Sequence, residues 1–295
     1  MTGSPTEDRN PRSEGLDRLD SLGIVKVLHG EDRRVADVVT VALPDVARAV
    51  DHAFDALDRG GRLVYFGAGT SGRLAQLDAS EIPPTFGFPE DRVVAVIAGG
   101  PGALLRAVEG AEDDALEGVA AVRELGIGPS DCVVGITASG TTRFVLGALG
   151  EARERGASTV MFTCGPPPSP GLWHVVIHLE TGPEAVAGST RLKAGTATKM
   201  VLNMISTGAM VRLGRVHDNL MVEVRGGNAK LQHRAEGIVA QLAELPPAEA
   251  RALLARCEGE VKTAVVAARR RVDPAEARAL LEAGGGNLRR VLEGR

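Results

Sequence analysis

The chain has 295 residues, of which 44% are hydrophobic and 24% are charged, and this composition is typical of a soluble globular protein. A formal net charge of −4 gives no general attraction to nucleic acid or to an anionic membrane, so any phosphate would have to be bound by local groups. The three cysteines show no CxxC or Cys/His ligand spacing, which argues against structural zinc and favours a reducing, cytoplasmic compartment. Without an apolar signal region or an 18-residue apolar span, the sequence predicts neither secretion nor membrane insertion.

The N-terminal part of the chain changes character at about residue 16. Residues 1–15 (MTGSPTEDRNPRSEG) are rich in Pro, Ser, Gly and charged residues, a composition that buries little apolar surface and therefore predicts disorder. Across residues 16–60, apolar side chains such as Val46 and Leu57 recur at helical spacing. This pattern predicts a helical lead-in, with Pro44 in the first turn of a helix.

Five short apolar runs follow the lead-in, and their length suits strands that are buried on both faces. The runs are RLVYF, RVVAVIA, DCVVGIT, STVMFT and HVVIHL, which begin at residues 62, 92, 131, 158 and 174. Helical stretches at residues 72–79, 102–125 and 141–155 separate them, and a long helix is predicted for residues 189–213. This alternation predicts an α/β fold with a doubly wound, mostly five-stranded parallel sheet.

The C-terminal region is helical throughout. Residues 241–295 carry repeated Ala-Leu-Leu packing signals, and breaks near Glu258 and Gly284 predict a subdomain of three short helices. Asp273, with the proline after it, is predicted to open the second of these helices. The heptapeptide AEARALL occurs twice in this region, which similar amphipathic helices in an alanine-rich chain explain without an evolutionary repeat. The main domain is accordingly predicted to span residues 16–240.

Two small, hydroxyl-rich turns each follow a predicted strand and open a predicted helix. They are GAGTSG at residues 67–72 and TASGTT at residues 137–142. In an open parallel sheet, ligands bind beyond the carboxyl ends of the strands, where free backbone N–H groups and the helix dipole hold anions. Helix N-caps use the same residue types for structural reasons, but two such turns in one sheet favour an anion site.

The first turn also satisfies GxGxxG, which raises the alternative of a nicotinamide dinucleotide site. Such a unit should carry an acidic residue at the end of its second strand, where it binds the ribose hydroxyl. Here the second apolar run ends in IAGGPG, which has no carboxylate. The sequence therefore argues against a dinucleotide.

Two acidic features lie near these turns. Glu81 precedes Pro83 and Pro84, which are predicted to end the helix and to leave Glu81 projecting from a loop. The run EGAEDD at residues 109–114 places four carboxylates early in the next helical stretch, as solvated helix faces often do. The residue types alone do not choose among these carboxylates.

Several longer stretches resemble the N-acetylmuramic acid 6-phosphate etherases, which belong to the sugar isomerase (SIS) superfamily. The stretches are GAGTSGRLAQLDASEIPPTFG, AGG…AVEGAEDD, ASGTT, GSTRLKAGTATKMVLNMISTGAMVRLG and NLMVEV…NAKL, and the resemblance runs from about residue 16 to the C-terminus. It implies removal of D-lactate from N-acetylmuramic acid 6-phosphate in cell-wall sugar recycling, without metal or organic cofactor. It also implies a SIS-type sugar-phosphate-binding domain and a homodimer with sites near the subunit interface.

The resemblance assigns roles to individual residues. Glu81 of DASE is implied to be the general acid, and Glu112 of EGAED is implied to be the general base. Contacts to the sugar phosphate are implied for the two turns and the GSTRLKAG segment, namely Gly69, Thr70, Ser71, Gly72, Ser139, Gly140, Thr141, Ser189 and Lys193.

Three departures from the family pattern concern Ile82, where cysteine is common, ASGTTRF in place of ASGRTPY, and GPPPSP in place of an Asn-Pro turn. The second departure places Thr141 and Arg143 beside the expected ligand and leaves the substrate preference open.

A non-catalytic sugar-phosphate sensor and a sugar-phosphate isomerase remain as alternative functions, because fold does not fix function. The presence of both Glu81 and Glu112 argues against a non-catalytic sensor. A DNA-binding sensor would also need a basic helix-turn-helix module, which the lead-in does not contain.

Overall fold

The computed structural model describes residues 5–168, 171–224 and 229–294. Two compact units can be distinguished, the first made of Met1–Ala79 and Asp91–Ser206 and the second of Ser80–Glu90 and Thr207–Arg295. Within the described ranges, no helix is long and apolar enough to cross a membrane.

The first unit is built on a five-stranded parallel sheet with the order β2-β1-β3-β4-β5. Its strands are β1 (Leu63–Gly67), β2 (Val93–Ile97), β3 (Cys132–Thr137), β4 (Ser158–Thr163) and β5 (Val175–His178). Its helices are α1 (Ser21–Asp58), α2 (Gly69–Phe86), α3 (Ala115–Glu124), α4 (Arg143–Glu154) and α5 (Lys193–Arg212), of which α2 and α5 continue into the second unit. Each predicted strand is present within a few residues of its apolar run.

Helices cover both faces of this sheet, as a doubly wound fold requires. On one face, strands β1, β3 and β4 share a core with α3 and α4 that includes Val64, Phe66, Val122, Val133, Phe144, Leu149 and Met161. Successive side chains of a strand alternate between faces, so Tyr65 points to the opposite side. There its hydroxyl donates to Asp78 of α2 at 2.9 Å, and Asn203 and Ser206 of α5 donate to the same carboxylate at 2.7 and 3.0 Å. The predicted α/β fold is confirmed.

Three prolines occupy helix positions other than those that the sequence predicts. Pro44 lies at an exposed position inside the 38-residue α1 instead of opening a helix. Helix α2 continues through Pro83 and Pro84 to Phe86, although a proline inside a helix removes one backbone hydrogen bond and crowds the preceding turn. Glu81 therefore lies on a helix and not in a loop, which corrects the prediction.

The prediction of disorder for residues 1–15 is wrong for residues 5–15, while residues 1–4 lie outside the described part. Two single-turn 3₁₀ helices, Pro5–Glu7 and Pro11–Ser13, are followed by a third at Leu16–Arg18. Thr6 and Asn10 are buried, at 0% and 5% exposure. Polar contacts to distant parts of the chain order this segment. Such contacts cannot be predicted from the composition of the segment.

The second unit is mainly helical. It contains the antiparallel strands β6 (Val216–His217) and β7 (Leu220–Met221) and the helices α6 (Ala229–Ala243), α7 (Pro247–Arg256), α8 (Val261–Arg270), α9 (Pro274–Ala283) and α10 (Leu288–Glu293). After α6 the described chain thus has four helices instead of the predicted three, because Arg271 adopts a left-handed conformation and ends α8 just before the Asp273 cap of α9. Besides Ser80–Glu90, the compact unit includes the chain from Thr207 onward and not only from residue 241, and α6 shares its core.

All three cysteines are buried, Cys132 and Cys164 in the first unit and Cys257 in the second. Burial raises the pKa of the Cys132 and Cys164 thiols to about 12. These side chains are therefore core residues in this structure.

Candidate functional site

The order of the strands identifies one edge of the sheet as the candidate site. Strands β1 and β3 are neighbours, and the chain winds outward from them in opposite directions to β2 and to β4. Gly67 at the end of β1 pairs in register with Ile136 of β3, so the turns that follow both strands lie side by side. Ligands of open α/β sheets bind at this kind of switch point.

The first turn joins β1 to α2 through closely packed glycines. A Cβ at Gly67 would lie 2.7 Å from the backbone nitrogen of Gly72, and one at Gly72 would lie 2.5 Å from Ile97 Cγ1. Gly69 has φ +53° and open space beside it. The glycines thus allow the helix to start directly over the strand, and they leave Thr70 and Ser71 in its first turn.

The second turn, between β3 and α4, is held by its own hydroxyl groups. Thr137 Oγ1 lies 2.8 Å from Thr142 Oγ1 and accepts a hydrogen bond from the Gly140 N–H at 3.1 Å. Ser139 Oγ lies 2.9 Å from Thr141 Oγ1 and accepts from the Thr141 N–H at 3.1 Å. The backbone and the Ser139 hydroxyl are therefore positioned before any ligand arrives.

A cavity of about 400 Å³ opens between these two turns. Seven of its sixteen lining residues are serines or threonines, whose hydroxyl groups suit a polar, anionic ligand. The cavity is lined by Thr6, Glu7, Ala68, Gly69, Thr70, Ser71, Arg73, Glu112, Ile136, Ala138, Ser139, Thr142, Gly188, Thr190, Gly195 and Thr198.

Glu112 is exposed on the 3₁₀ turn Ala111–Asp113 and lines this cavity. It also lines an adjoining cavity of about 350 Å³, together with Gly69 and Arg73. The Arg73 guanidinium donates to the carbonyl oxygens of Leu104 and Ala103 at 3.1 and 2.7 Å, and so it fixes the loop that leads to Glu112. A carboxylate thus stands where the two cavities meet.

Side chains that could bind a metal ion are not clustered within the described residues. Over residues 5–168, 171–224 and 229–294, no group of three or more His, Cys, Asp or Glu side chains is placed to hold a metal ion. The side chains that line the cavity supply carboxylate, hydroxyl and guanidinium groups.

Comparison with known proteins gives the family. A sequence profile described as glucokinase regulatory protein N-terminal SIS domain matches residues 45–153. Over 262 residues, the chain is 52% identical to the N-acetylmuramic acid 6-phosphate etherase of Yersinia pestis (strain Pestoides F), covering 88% of this chain and 89% of that protein. The etherase of Yersinia pseudotuberculosis (serotype O:1b, strain IP 31758) matches with the same identity and coverage.

The chain belongs to the N-acetylmuramic acid 6-phosphate etherase family. Among solved structures, an E. coli CFT073 protein in complex with A5P has a TM-score of 0.50 and 18% identity, covering 68% of this chain and 97% of that one. At this identity the likeness concerns the fold, and it agrees with the SIS-type sheet predicted from the sequence.

Five of the predicted site residues of this etherase-family chain line the 400 Å³ cavity, namely Gly69, Thr70, Ser71, Glu112 and Ser139. Gly72, Gly140 and Thr141 lie in the same turns but do not line it. Gly140 has φ +83°, and a Cβ there would lie 2.5 Å from the Pro166 carbonyl oxygen, so its role is in packing. Ser189 is half-buried between Gly188 and Thr190, both of which line the cavity.

Lys193 does not line the cavity, contrary to its predicted place there. It is only 1% exposed, and its Nζ donates to Glu31 Oε2 and to the Pro183 carbonyl oxygen, both at 2.6 Å. The buried ammonium group is thus paired inside the first unit. Its partner Glu31 lies 162 positions away in the chain, and no local pattern connects the two residues.

Glu81 belongs to the second unit, where it is exposed on α2.

Sequence reasoning missed several cavity residues of the first unit, namely Thr6, Glu7, Arg73, Thr142, Thr190 and Thr198. Thr142 and Thr190 lie within the second turn and the GSTRLKAG segment, and Arg73 directly follows the first turn, so the sequence held a signal for all three. Thr6 and Glu7 carried none, because their segment was predicted to be disordered.

Proposed function

We propose that this chain is an N-acetylmuramic acid 6-phosphate etherase, a carbon–oxygen lyase that yields N-acetylglucosamine 6-phosphate and D-lactate. The observation that carries the proposal is 52% identity to proteins of that name over 88% of the chain. The cavity at the β1/β3 switch point supports it, because hydroxyl-rich turns suit a sugar phosphate and Glu112 supplies a carboxylate beside them. The reaction serves cell-wall sugar recycling in the cytoplasm.

The phosphate is assigned to the two turns. Thr70 and Ser71 lie in the first turn of the 18-residue α2, where backbone N–H groups and the positive end of the helix dipole favour an anion. Ser139 adds a hydroxyl from the second turn. The sugar then extends toward Glu112.

The ether bond is cleaved by elimination followed by addition of water. In the open-chain sugar, the C1 aldehyde acidifies the C2 proton, and Glu112 removes that proton as general base. The electron pair forms the C2–C3 double bond while the C3–O bond breaks, and the departing lactate oxygen takes a proton from Glu81. Water then adds its hydroxyl to C3 and a proton to C2. The role of Glu81 rests on the family resemblance, whereas that of Glu112 also has the support of its place in the cavity.

The test is the release of D-lactate from N-acetylmuramic acid 6-phosphate by protein treated with EDTA. We expect stoichiometric D-lactate and N-acetylglucosamine 6-phosphate, and both products can be quantified by chromatography. Binding without lactate release would favour a sugar-phosphate sensor, and conversion to a ketose phosphate would favour an isomerase. Loss of activity on chelation would contradict a metal-free reaction.

A further inference from the structure

Residues 5–13 form a segment that we call the N-terminal strap. It contains the 3₁₀ turns Pro5–Glu7 and Pro11–Ser13, and Thr6 and Asn10 are its buried side chains. Long-range polar contacts fix both of its ends to the first unit, so the strap has one defined course.

The far end of the strap is fixed to a single carboxylate. Asn10 Nδ2 donates to Glu31 Oε2 at 2.8 Å and to the Pro183 carbonyl oxygen at 3.1 Å. Arg12 donates to both Glu31 oxygens, at 2.5 and 3.0 Å, and Lys193 donates to Oε2 at 2.6 Å. These donors, with Arg12 first, lower the pKa of Glu31 to about 2. The strap, α1 and the start of α5 therefore share one ion cluster.

The near end of the strap lies against the segment that follows residue 187. The Gly188 N–H donates to the Thr6 carbonyl oxygen at 3.0 Å. Gly188 has φ +74°, and a Cβ at this position would lie 2.7 Å from Glu7 Oε2, so the glycine makes room for the carboxylate. Thr6, Glu7, Gly188 and Thr190 all line the 400 Å³ cavity, which receives a second carboxylate in addition to Glu112.

We propose that Glu7 is a specificity-determining residue of this cavity, whose carboxylate accepts hydrogen bonds from hydroxyl or amide N–H groups of the sugar. An ionised carboxylate accepts hydrogen bonds but donates none, and it repels phosphate. Glu7 therefore recognises the neutral donor groups of an amino sugar and leaves the phosphate to the serine turns. The inference rests on the proposed function, because it assumes that the cavity binds an amino-sugar phosphate.

The test compares two ligands and two variants. Calorimetry measures the binding of N-acetylglucosamine 6-phosphate and, by competition, of inorganic phosphate to wild type, Glu7→Gln and Asp8→Asn. Because Glu7→Gln replaces a charged hydrogen-bond acceptor by a neutral one, the variant should bind the sugar phosphate about tenfold or more weakly. Its affinity for inorganic phosphate should be unchanged or higher. Asp8 is exposed on the same strap and does not line the cavity, so Asp8→Asn should match wild type.

The outcomes separate this inference from the proposed function. A wild-type protein that binds no N-acetylglucosamine 6-phosphate would overturn the role of Glu7, whereas the proposed function is overturned only if the wild type releases no D-lactate from N-acetylmuramic acid 6-phosphate. Wild-type binding with an undiminished Glu7→Gln affinity would overturn only the role of Glu7, and so would an equal loss for both ligands, which indicates a general disturbance of the cavity.

A second variant tests whether the strap positions Glu7. Arg12→Ala removes two hydrogen bonds to Glu31 from a side chain that is 45% exposed. We expect it to weaken sugar-phosphate binding in the wild-type background and to have little further effect in the Glu7→Gln background. Equal effects in the two backgrounds would show that Arg12 acts on the fold and not through Glu7.

Discussion

Glu112 and Glu81 have different tasks in the proposed elimination, so their variants should fail at different steps. Glu112→Gln should lose both C2 hydrogen exchange with deuterated water and lactate release, because it cannot remove the C2 proton. Glu81→Gln should lose lactate release but retain the exchange, since the proton can leave and return while the ether bond stays intact. Each affected step should slow by about 10² to 10⁴-fold. Proton NMR of the recovered sugar and a lactate assay measure both.

The exposed Asp113, next to Glu112 on the same turn, supplies the matched control. Asp113→Asn should leave both readouts close to wild type. Exchange that survives in the Glu112 variant and disappears in the Glu81 variant would reverse the two assignments.

The hydroxyl groups of the two turns should act on binding more than on chemistry. Ser71→Ala and Ser139→Ala each remove a donor from the cavity, and because a hydrogen bond to a charged group contributes about 1.5–3 kcal/mol, each should weaken the binding of the sugar phosphate about tenfold. Ser189→Ala should have a smaller effect, since Ser189 does not line the cavity. Calorimetry checks this order, and a larger loss for Ser189→Ala than for the other two variants would contradict it.

At the scale of whole elements, the Glu31 cluster links the strap, α1 and α5, and its contribution to stability should depend on pH. The pKa of Glu31 falls from its usual 4.5 to about 2 in the folded state, with the Arg12 hydrogen bond as the first cause. The stabilisation is therefore present above about pH 4.5 and is lost as the pH falls toward 2. Glu31→Gln should lower the free energy of unfolding by about 1–3 kcal/mol at pH 6, and this difference should shrink in acid.

Urea denaturation of wild type and Glu31→Gln at several pH values measures the effect. Asp32→Asn, a change at the exposed neighbouring residue of α1, provides the control. A difference between wild type and Glu31→Gln that stays constant from pH 6 to pH 2 would show that the cluster does not depend on the charge of Glu31.

The sequence predicted the elements that depend on local patterns and missed features that depend on distant partners. Strands β1 to β5 were found because strands buried on both faces are continuous apolar runs. The strap and Lys193 were misjudged because each has a partner that is remote in sequence, Pro183 for Asn10 and Glu31 for Lys193. The end of helix α2 was predicted too early, because the two prolines were expected to stop the helix. The free-energy cost of a proline is local, and packing along the rest of the helix can offset it.

The same distinction holds for the candidate site. Its two turns follow directly from small, hydroxyl-bearing residues after buried strands, and the switch point follows from the strand order. Glu112 could be singled out among four neighbouring carboxylates only through the family resemblance, because a solvated acidic face has the same composition. Glu7 could be assigned to the cavity only from the structure.

On the scale of the whole molecule, we expect a homodimer, which the family resemblance implies. Two leucines that flank the Glu112 turn are unusually exposed, Leu105 at 91% and Leu116 at 78%. Burial of exposed apolar side chains favours association, so we propose these two leucines as interface positions. Light scattering after size exclusion should give twice the 30.7 kDa of one chain, and Leu105→Glu with Leu116→Glu should lower that mass.

Leu280→Glu, at a 36% exposed leucine of the second unit, is the control and should leave the mass unchanged. A wild-type mass of one chain at all concentrations would exclude the dimer. A dimer that survives the paired substitution would place the interface elsewhere.

The three buried cysteines give the protein an internal set of probes for local opening. Cys132 and Cys164 report on the first unit, Cys257 reports on the second, and a thiol must reach solvent before an alkylating reagent can modify it. Pulsed alkylation with mass spectrometry of each cysteine peptide would therefore give the opening rate of each unit in the native protein, without an introduced label. Equal rates at all three positions would mean that both units open in one cooperative event, whereas a faster rate at Cys257 would mean that the helical unit opens while the sheet remains closed.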